Sequence, residues 1–409
     1  MKVTLKAESV VHGGETLARH EGRVVFLRGA APGDRVEAEL TGEGRFERTR
    51  ALRVVERGAS HVDAPCAIVE RCGGCPLQHV AYEAQLAAKQ ELTADALERI
   101  GGFARGSYEL ADIAPSPSPF RYRRRARLHR AAGGAWGFAQ PGTAAVEPVD
   151  ECLLFEPLLH ELAEMARSAG ELPGVTDLGL LAGEKKGAID LGVEGPPSPG
   201  LSRRAERLLE HPLVRGVTLA GSAIGDPVIA DAPLPNGARL RSRPDTFAQA
   251  NRAMLPALQR EAVRAAGDAE RVLELFCGSG SLTLPLLGPG RQVTAVENAG
   301  PSLALLRKSA DEAGLALKLI AGDAASVVRA FADPLDAVLL DPPRTGAADA
   351  VRALAALKPP RIAYVSCDAP TLARDAKLLA EAGYRLLRAV PLDLFPQTAH
   401  FEVVATFQR

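Results

Sequence analysis

No run of 18 or more apolar residues occurs in this chain, so the sequence predicts no membrane-spanning helix. Residues 1–11 hold no long apolar stretch, and no secretory signal is expected there. An excess of either charge is missing too: 49 Lys and Arg stand against 50 Asp and Glu, a formal net charge of −1. A nucleic-acid partner would therefore have to meet a local basic patch rather than a basic molecule. No internal repeat and no low-complexity tract interrupts the 409 residues. These absences leave a soluble, cytoplasmic, monomeric protein with no membrane partner, long enough for several domains that each bury a core.

Three regions are distinguishable. Residues 1–58 read as a small β-barrel, because short alternating runs are broken by Gly13-Gly14, by Ala31-Pro32-Gly33-Asp34 and by the glycines at 42 and 44. Residues 59–245 are less regular, with an expected α+β fold. They offer a helix near 80–100 ended by Gly101-Gly102, strands near 121–130 and 135–138, a helix near 156–168 and a loop over 192–200. From 246 to 409, short apolar runs alternate with helical periods, which predicts βαβ units and a Rossmann-like, mostly parallel α/β sheet. Its expected strands are 272–275, 292–296, 317–320, 337–340 and 362–365, closed by an antiparallel edge pair at 384–394 and 401–407.

Of six cysteines, Cys66, Cys72, Cys75 and Cys152 gather in the central region. Without an export signal, such a group reads as a metal site rather than a disulfide framework. One pair plus two single cysteines is unusual for structural zinc, and spacing alone leaves zinc and an iron–sulfur cluster both open. The segment Phe120–Arg130 reads FRYRRRARLHR, with no acid. Alternation along a strand would place Arg123, Arg125 and Arg127 on one face, where they suit a phosphate backbone.

In the C-terminal region Glu274–Gly280 ends a strand and opens a helix, so Gly278 and Gly280 let backbone approach a ligand. Glu297 ends the next strand, where an acid can hold ribose hydroxyls, and Asp323 ends a third. Thr283 stands where dinucleotide binding needs a third glycine, which disfavours NAD and suits S-adenosyl-L-methionine. Asp341-Pro342-Pro343-Arg344 presents a carboxylate at another strand end. Cys367 follows an apolar strand and precedes a helix, a position expected to favour its thiolate. Carbon 5 of a pyrimidine has no lone pair for methylation, so a thiolate must first add at carbon 6. Glu402, on the last expected strand, is the candidate base that removes the carbon-5 proton.

These residues together resemble the bacterial RNA 5-methyluridine methyltransferases, in particular the iron–sulfur-containing 23S ribosomal RNA type, over nearly the whole chain. The resemblance implies that residues 1–58 form a TRAM-like RNA-binding barrel and that Cys66, Cys72, Cys75 and Cys152 hold a 4Fe-4S cluster. It further implies that Gln249 in Phe247–Asn251, with Phe276, Ser281, Glu297, Asp323 and Asp341, contacts the cofactor. Cys367 would be the nucleophile, and Glu402, in Phe395–Glu402, the base. The family commonly places Asn-Pro after the nucleophile, whereas Asp368-Ala369-Pro370 shifts the proline by one. Ribosomal RNA is the expected substrate. A transfer-RNA uracil methyltransferase is the first alternative, disfavoured on the view that those enzymes lack barrel and cluster. A non-catalytic RNA-binding protein is the second.

Overall fold

The computed structural model describes all 409 residues except Glu43, Ala169 and Glu171. Five strands, Lys2–Val10, Thr16–His20, Arg23–Arg28, Arg35–Glu39 and Phe46–Glu56, close the expected barrel around a core of Leu5, Val25, Leu27 and Val36.

The central region contributes a seven-stranded sheet that includes Arg125–Arg130, Trp136–Ala139, Val175–Ala182, Gly187–Val193 and Val214–Leu219. The helices Pro157–Ser168 and Pro199–Leu208 pack on it, burying Leu159, Leu162, Leu201 and Ala205. Much of the expected 192–200 loop is loop, but Ser198 caps the second helix and Pro199 opens it.

The C-terminal sheet has eight strands in the order Lys318–Ala321, Gln292–Glu297, Arg271–Leu275, Ala337–Leu340, Arg361–Ser366, Glu402–Gln408, Arg385–Leu392 and Glu109–Leu110. The first five run parallel, and Glu402–Gln408 is antiparallel to both its neighbours. Helices cover both faces, so the strand Ala337–Leu340 is buried throughout and reads as a continuous apolar run. Each such aliphatic side chain contributes roughly 1.5–3 kcal/mol by leaving water.

Two boundaries differ from the sequence reading. The closing strands are not an edge: Glu402–Gln408 lies inside the sheet, and the two-residue strand Glu109–Leu110 forms the true edge beside Arg385–Leu392. Arg388 ties that edge down through a 2.8 Å bond to Glu109. The helix Tyr82–Arg99 also belongs with this body rather than with residues 59–245, because Ala96 and Leu97 pack into the same core as Leu273, Leu340 and Tyr364. No described helix is long and apolar enough to cross a membrane.

Candidate active site

Parallel strands bring their C-terminal ends to one crest, where open α/β sheets bind ligands. Here that crest carries Phe276, Glu297, Asp323, Asp341 and Cys367, each at the end of its strand or within two residues of it. In the turn after Arg271–Leu275, Phe276 adopts φ +62° and Gly280 φ +93°. A Cβ at Gly280 would stand 2.4 Å from Leu306 Cδ1, so only glycine fits where the turn meets the next helix. Gly278 donates its N–H to Glu297 Oε2 at 3.0 Å, and Asn298 and Ala299 donate theirs to Oε1 at 2.9 Å each. Glu297 is thereby held at its strand end by three backbone groups. Asp323 caps the helix Ala324–Ala330, its Oδ1 accepting from Ser326 N–H at 2.9 Å and from Ser326 Oγ at 2.8 Å. Those bonds draw the Asp323 carboxyl below its usual range.

Gln249 is buried, and its Oε1 is among the buried polar atoms with no hydrogen-bond partner. An orphaned acceptor of this kind fits a ligand that donates to it, as an amino group would. Arg124, itself almost fully buried, holds the segment by donating Nε to Gln249 O at 3.2 Å. Ser281 lies in the glycine turn, its carbonyl accepting from Gln259 Nε2 at 2.8 Å.

Cys367 stands between two acids, because its strand lies in the sheet between the strand that leads to Asp341 and the one that begins at Glu402. Burial, the charge of Glu402 and then that of Asp341 push the Cys367 thiol up to about 11, while the charge of Arg344 opposes them. The expectation of a thiolate favoured by the helix N-terminus is thus reversed in the free protein. Desolvation of the anion and two neighbouring carboxyls outweigh a helix end. Asp368 meets that helix end instead, with Oδ1 accepting from Thr371 N–H at 2.9 Å. Asp368 therefore caps Ala369–Glu381 with Pro370 in its first turn, and the shifted proline leaves the helix start intact.

Glu402 is buried, and its Oε2 has no partner. Burial and the charge of Asp341 raise its carboxyl well above the ordinary range, and burial raises Asp341 to about 7. Glu274, one strand away, is raised to about 8 by burial. Asp341 and Glu274 therefore exchange a proton near neutral pH, and Glu402 keeps its proton more readily than an ordinary carboxyl, the kind of perturbation that marks acid–base sites.

In the sequence Arg344 stands out only as the residue that follows the Pro342-Pro343 pair. The structure turns it toward Cys367, Glu402 and His400. Its loop is stapled to the helix after Cys367. Thr371 Oγ1 donates to Arg344 O at 3.2 Å, Arg374 to Thr345 O at 3.0 Å, and Ala347 N–H to buried Asp375 at 2.8 Å. The signal available was Arg344 itself, an exposed cation directly after a rigid Pro-Pro pair.

The arginine row finds partners within the fold. Tyr122, Arg124, Ala126 and Leu128 do point inward, so alternation holds. The opposite face is not a free basic stripe, however. Arg127 is ion-paired with Asp177 and, at 3.0 Å, with Asp190. Arg125 is half-buried and lies 6.0 Å from the ring centre of exposed Phe247. Arg123 sits before the strand and turns toward Cys75 and Cys152.

The four clustered cysteines are free and half-buried. They share one neighbourhood: Cys66 acts electrostatically on Cys72, and Cys152 and Cys72 both act on Cys75. Burial first, then neighbouring thiols, push Cys75 up to about 12 and Cys152 up to about 11. Among the described residues no three His, Cys, Asp or Glu converge closely enough for a single metal ion. Between Cys72 and Cys75, a Cβ at Gly73 would meet Ala139 O at 2.8 Å, so the chain there passes too close to its neighbour for a side chain.

Fold and crest together define a Rossmann-like methyltransferase body that carries a thiol beside a glycine turn. The family description tRNA (Uracil-5-)-methyltransferase matches residues 236–409, and the TRAM domain matches residues 1–42. The chain is 35% identical, over 100% of its length and 94% of the relative's, to 23S rRNA (uracil(1939)-C(5))-methyltransferase RlmD of Pseudomonas putida. It is 34% identical, over 98% of its length and 97% of the relative's, to an uncharacterized RNA methyltransferase of Thermosynechococcus vestitus. The crystal structure of Pyrococcus abyssi tRNA (uracil-54, C5)-methyltransferase with S-adenosyl-L-homocysteine superposes with a TM-score of 0.76 at 22% identity, covering 98% of this chain and 99% of that one. The chain belongs to the S-adenosylmethionine-dependent RNA uracil-5-methyltransferase family. That archaeal tRNA enzyme aligns over 99% of its length with this chain, so the view that tRNA uracil methyltransferases lack the N-terminal and central regions does not hold for it.

Proposed function

We propose that this protein methylates carbon 5 of a uridine in 23S ribosomal RNA through a covalent bond between Cys367 and the base. The observation that carries the reading is the meeting of Cys367, Glu402 and Asp341 on three adjacent strands of one crest. The Cys367 sulfur, as thiolate, adds to carbon 6, and the pair of the 5,6 double bond moves onto carbon 5 and the 4-oxygen as an enolate. S-adenosyl-L-methionine, when bound, would supply the electrophilic methyl group for carbon 5 and leave as S-adenosyl-L-homocysteine. Glu402 then removes the carbon-5 proton, the double bond re-forms and the sulfur leaves as thiolate. Arg344 faces both the sulfur and Glu402, so it can offset the negative charge that the two share. The target base must leave its stack to reach Cys367.

Gln249, Phe276, Gly278, Gly280, Ser281, Glu297, Asp323 and Asp341 hold the cofactor in this reading, with Glu297 on the ribose and the Gln249 carbonyl taking a donor. Cys66, Cys72, Cys75 and Cys152 hold a 4Fe-4S cluster. Four thiols that share a neighbourhood without converging on one point suit a cluster, whose ligand sulfurs are spread apart, better than a zinc ion. Arg28 and Arg123, which oppose the thiols' rise, suit its negative charge. The domains are the barrel to residue 58, a central domain without the helix Tyr82–Arg99, and the catalytic body that takes this helix in.

The choice of ribosomal RNA rests on full-length relatives bearing that name. Mapping 5-methyluridine in ribosomal and transfer RNA from cells with and without this protein tests it. Loss of one methyluridine from 23S RNA is the expected result. Loss from transfer RNA alone would overturn the substrate, and no loss would overturn the activity.

A further inference from the structure

The helix Tyr82–Arg99 turns a polar stripe inward. Gln85, Lys89 and Thr93, spaced four apart on one face, are each at most 1% exposed. Buried polar groups persist only with partners, and here the first two find theirs on the segment 393–401 that connects the last two long strands. Lys89 Nζ donates to Asp393 Oδ1 at 2.6 Å and to Phe395 O at 3.2 Å. Gln85 Oε1 accepts from Gln397 N–H at 3.0 Å, while Gln85 Nε2 donates to Gln397 Oε1 at 2.9 Å. Gln397 needs this grip, because it is 3% exposed and holds φ +69°, a left-handed conformation that costs a non-glycine residue energy. Tyr122 adds a bond from its hydroxyl to Pro396 O at 3.0 Å, and Asn251 one from Nδ2 to Leu394 O at 3.2 Å. The segment so gripped runs directly into Glu402.

The same net reaches the cysteines. Leu77, two residues after Cys75, donates its N–H to Gln397 O at 3.1 Å and accepts from Gln85 Nε2 at 3.1 Å. Gln78 Oε1 accepts from Cys66 N–H at 3.3 Å. Pro76 and Ala399 both crowd the barrel's Gly14, where a Cβ would stand 2.8 Å from Pro76 Cγ and 3.3 Å from Ala399 Cβ.

We propose that Gln85 and Lys89 are positioning residues that hold segment 393–401 so that Glu402 faces Cys367, and that the cysteine segment braces this clamp through Leu77. The proposal rests on the assignment of Cys367 and Glu402 above. It locates the defect of a broken clamp in proton removal from carbon 5 rather than in sulfur addition, because Cys367 lies on a different strand that the clamp does not touch.

Hydrogen exchange and adduct chemistry test it on the full-length protein purified without oxygen. In Gln85→Leu, amides of 393–401 should exchange at least tenfold faster, while the barrel strands and Arg361–Ser366 stay at the wild-type rate. Gln397→Gly, which relieves the backbone strain and so should fold, should show a smaller rise confined to the same segment. Cys75→Ser should also raise exchange there. With S-adenosylmethionine and a ribosomal RNA fragment, Gln85→Leu should accumulate a denaturation-resistant protein–RNA adduct, as Glu402→Gln should. Unchanged exchange over 393–401 in Gln85→Leu, or an increase spread evenly over the molecule, would overturn the clamp, and unchanged exchange in Cys75→Ser would overturn the bracing. Adduct release at the wild-type rate by Gln85→Leu would overturn the positioning role. Failure of Glu402→Gln itself to accumulate adduct would overturn the base assignment instead, and the exchange data would still decide the clamp.

Discussion

Asp341 and Glu402 flank Cys367 from the two neighbouring strands, and the charge of Asp341 helps to raise the Glu402 carboxyl. Two acids this close do not both ionise readily, so the site holds a proton beside the thiol. Roles should separate on mutation. Cys367→Ala should form neither adduct nor product yet still bind cofactor. Glu402→Gln should methylate once and stall as a covalent adduct visible on a denaturing gel. Turnover by Cys367→Ala would refute covalent catalysis.

The thiol itself should be sluggish before RNA arrives. With Cys367 raised to about 11, its alkylation by iodoacetamide, followed on the Cys367 peptide by mass spectrometry, should rise about tenfold per pH unit from 7 to 10. At the alkaline end of this range, where Glu402 has lost its proton, Glu402→Gln should speed alkylation, since it removes a charge that opposes the thiolate. Arg344→Ala should slow it severalfold, and Arg344→Lys should restore part of the rate. A rate that levels off below pH 8 would show a thiolate already favoured, as the helix position alone suggested.

Glu274 makes stability depend on pH. It is 1% exposed, and burial raises it from 4.5 to about 8. Across that window the folded protein keeps a proton that the unfolded chain has lost, so stability falls as pH rises, by on the order of 5 kcal/mol for the full shift. Glu274→Gln removes the titration. Urea unfolding at pH 5 and pH 8.5 should show the gap between the two conditions narrowed in the variant. An unchanged gap would mean that other groups carry the dependence.

Anaerobically purified protein should be brown, and Cys72→Ser or Cys152→Ser should bleach it, because each removes a thiolate ligand. Visible absorbance with iron and sulfide analysis is the check. Colourless protein carrying one zinc per chain would refute the cluster.

The ion pair between Lys89 and Asp393 has side-chain exposures of 1% and 0%. Lys89→Met alone leaves a buried carboxylate without its partner and should cost about 3–5 kcal/mol in urea unfolding. Adding Asp393→Leu should recover much of that loss, since a hydrophobic pair of similar volume avoids desolvating two charges. Equal losses in the single and double variants would show that the lysine acts through its packing alone.

By itself the sequence determined the order of strands and helices in residues 246–409, the barrel, and the residues of the crest. Apolar runs such as Ala337–Leu340 have one stable fate, burial on both faces of a parallel sheet, and glycine turns and strand ends are local features. Asp341, Glu402 and Cys367 were each legible for the same reason: chemistry at a strand end needs a particular residue type at a particular place. Tertiary structure alone decided what lay between these points. Periodicity reads the stripe of Gln85, Lys89 and Thr93 as a solvent face, because nothing within the helix reveals that Asp393 and Gln397, some 300 residues on, arrive to satisfy it. The pairing of Arg127 was out of reach likewise, since Asp177 and Asp190 come from two other strands of the same sheet. The Cys367 thiol could not be judged from its helix N-terminus, because burial and two acids from neighbouring strands act on it more strongly than the helix does. Charge and hydrogen bonding depend on distances across the fold, and those distances exist only once the chain has closed on itself.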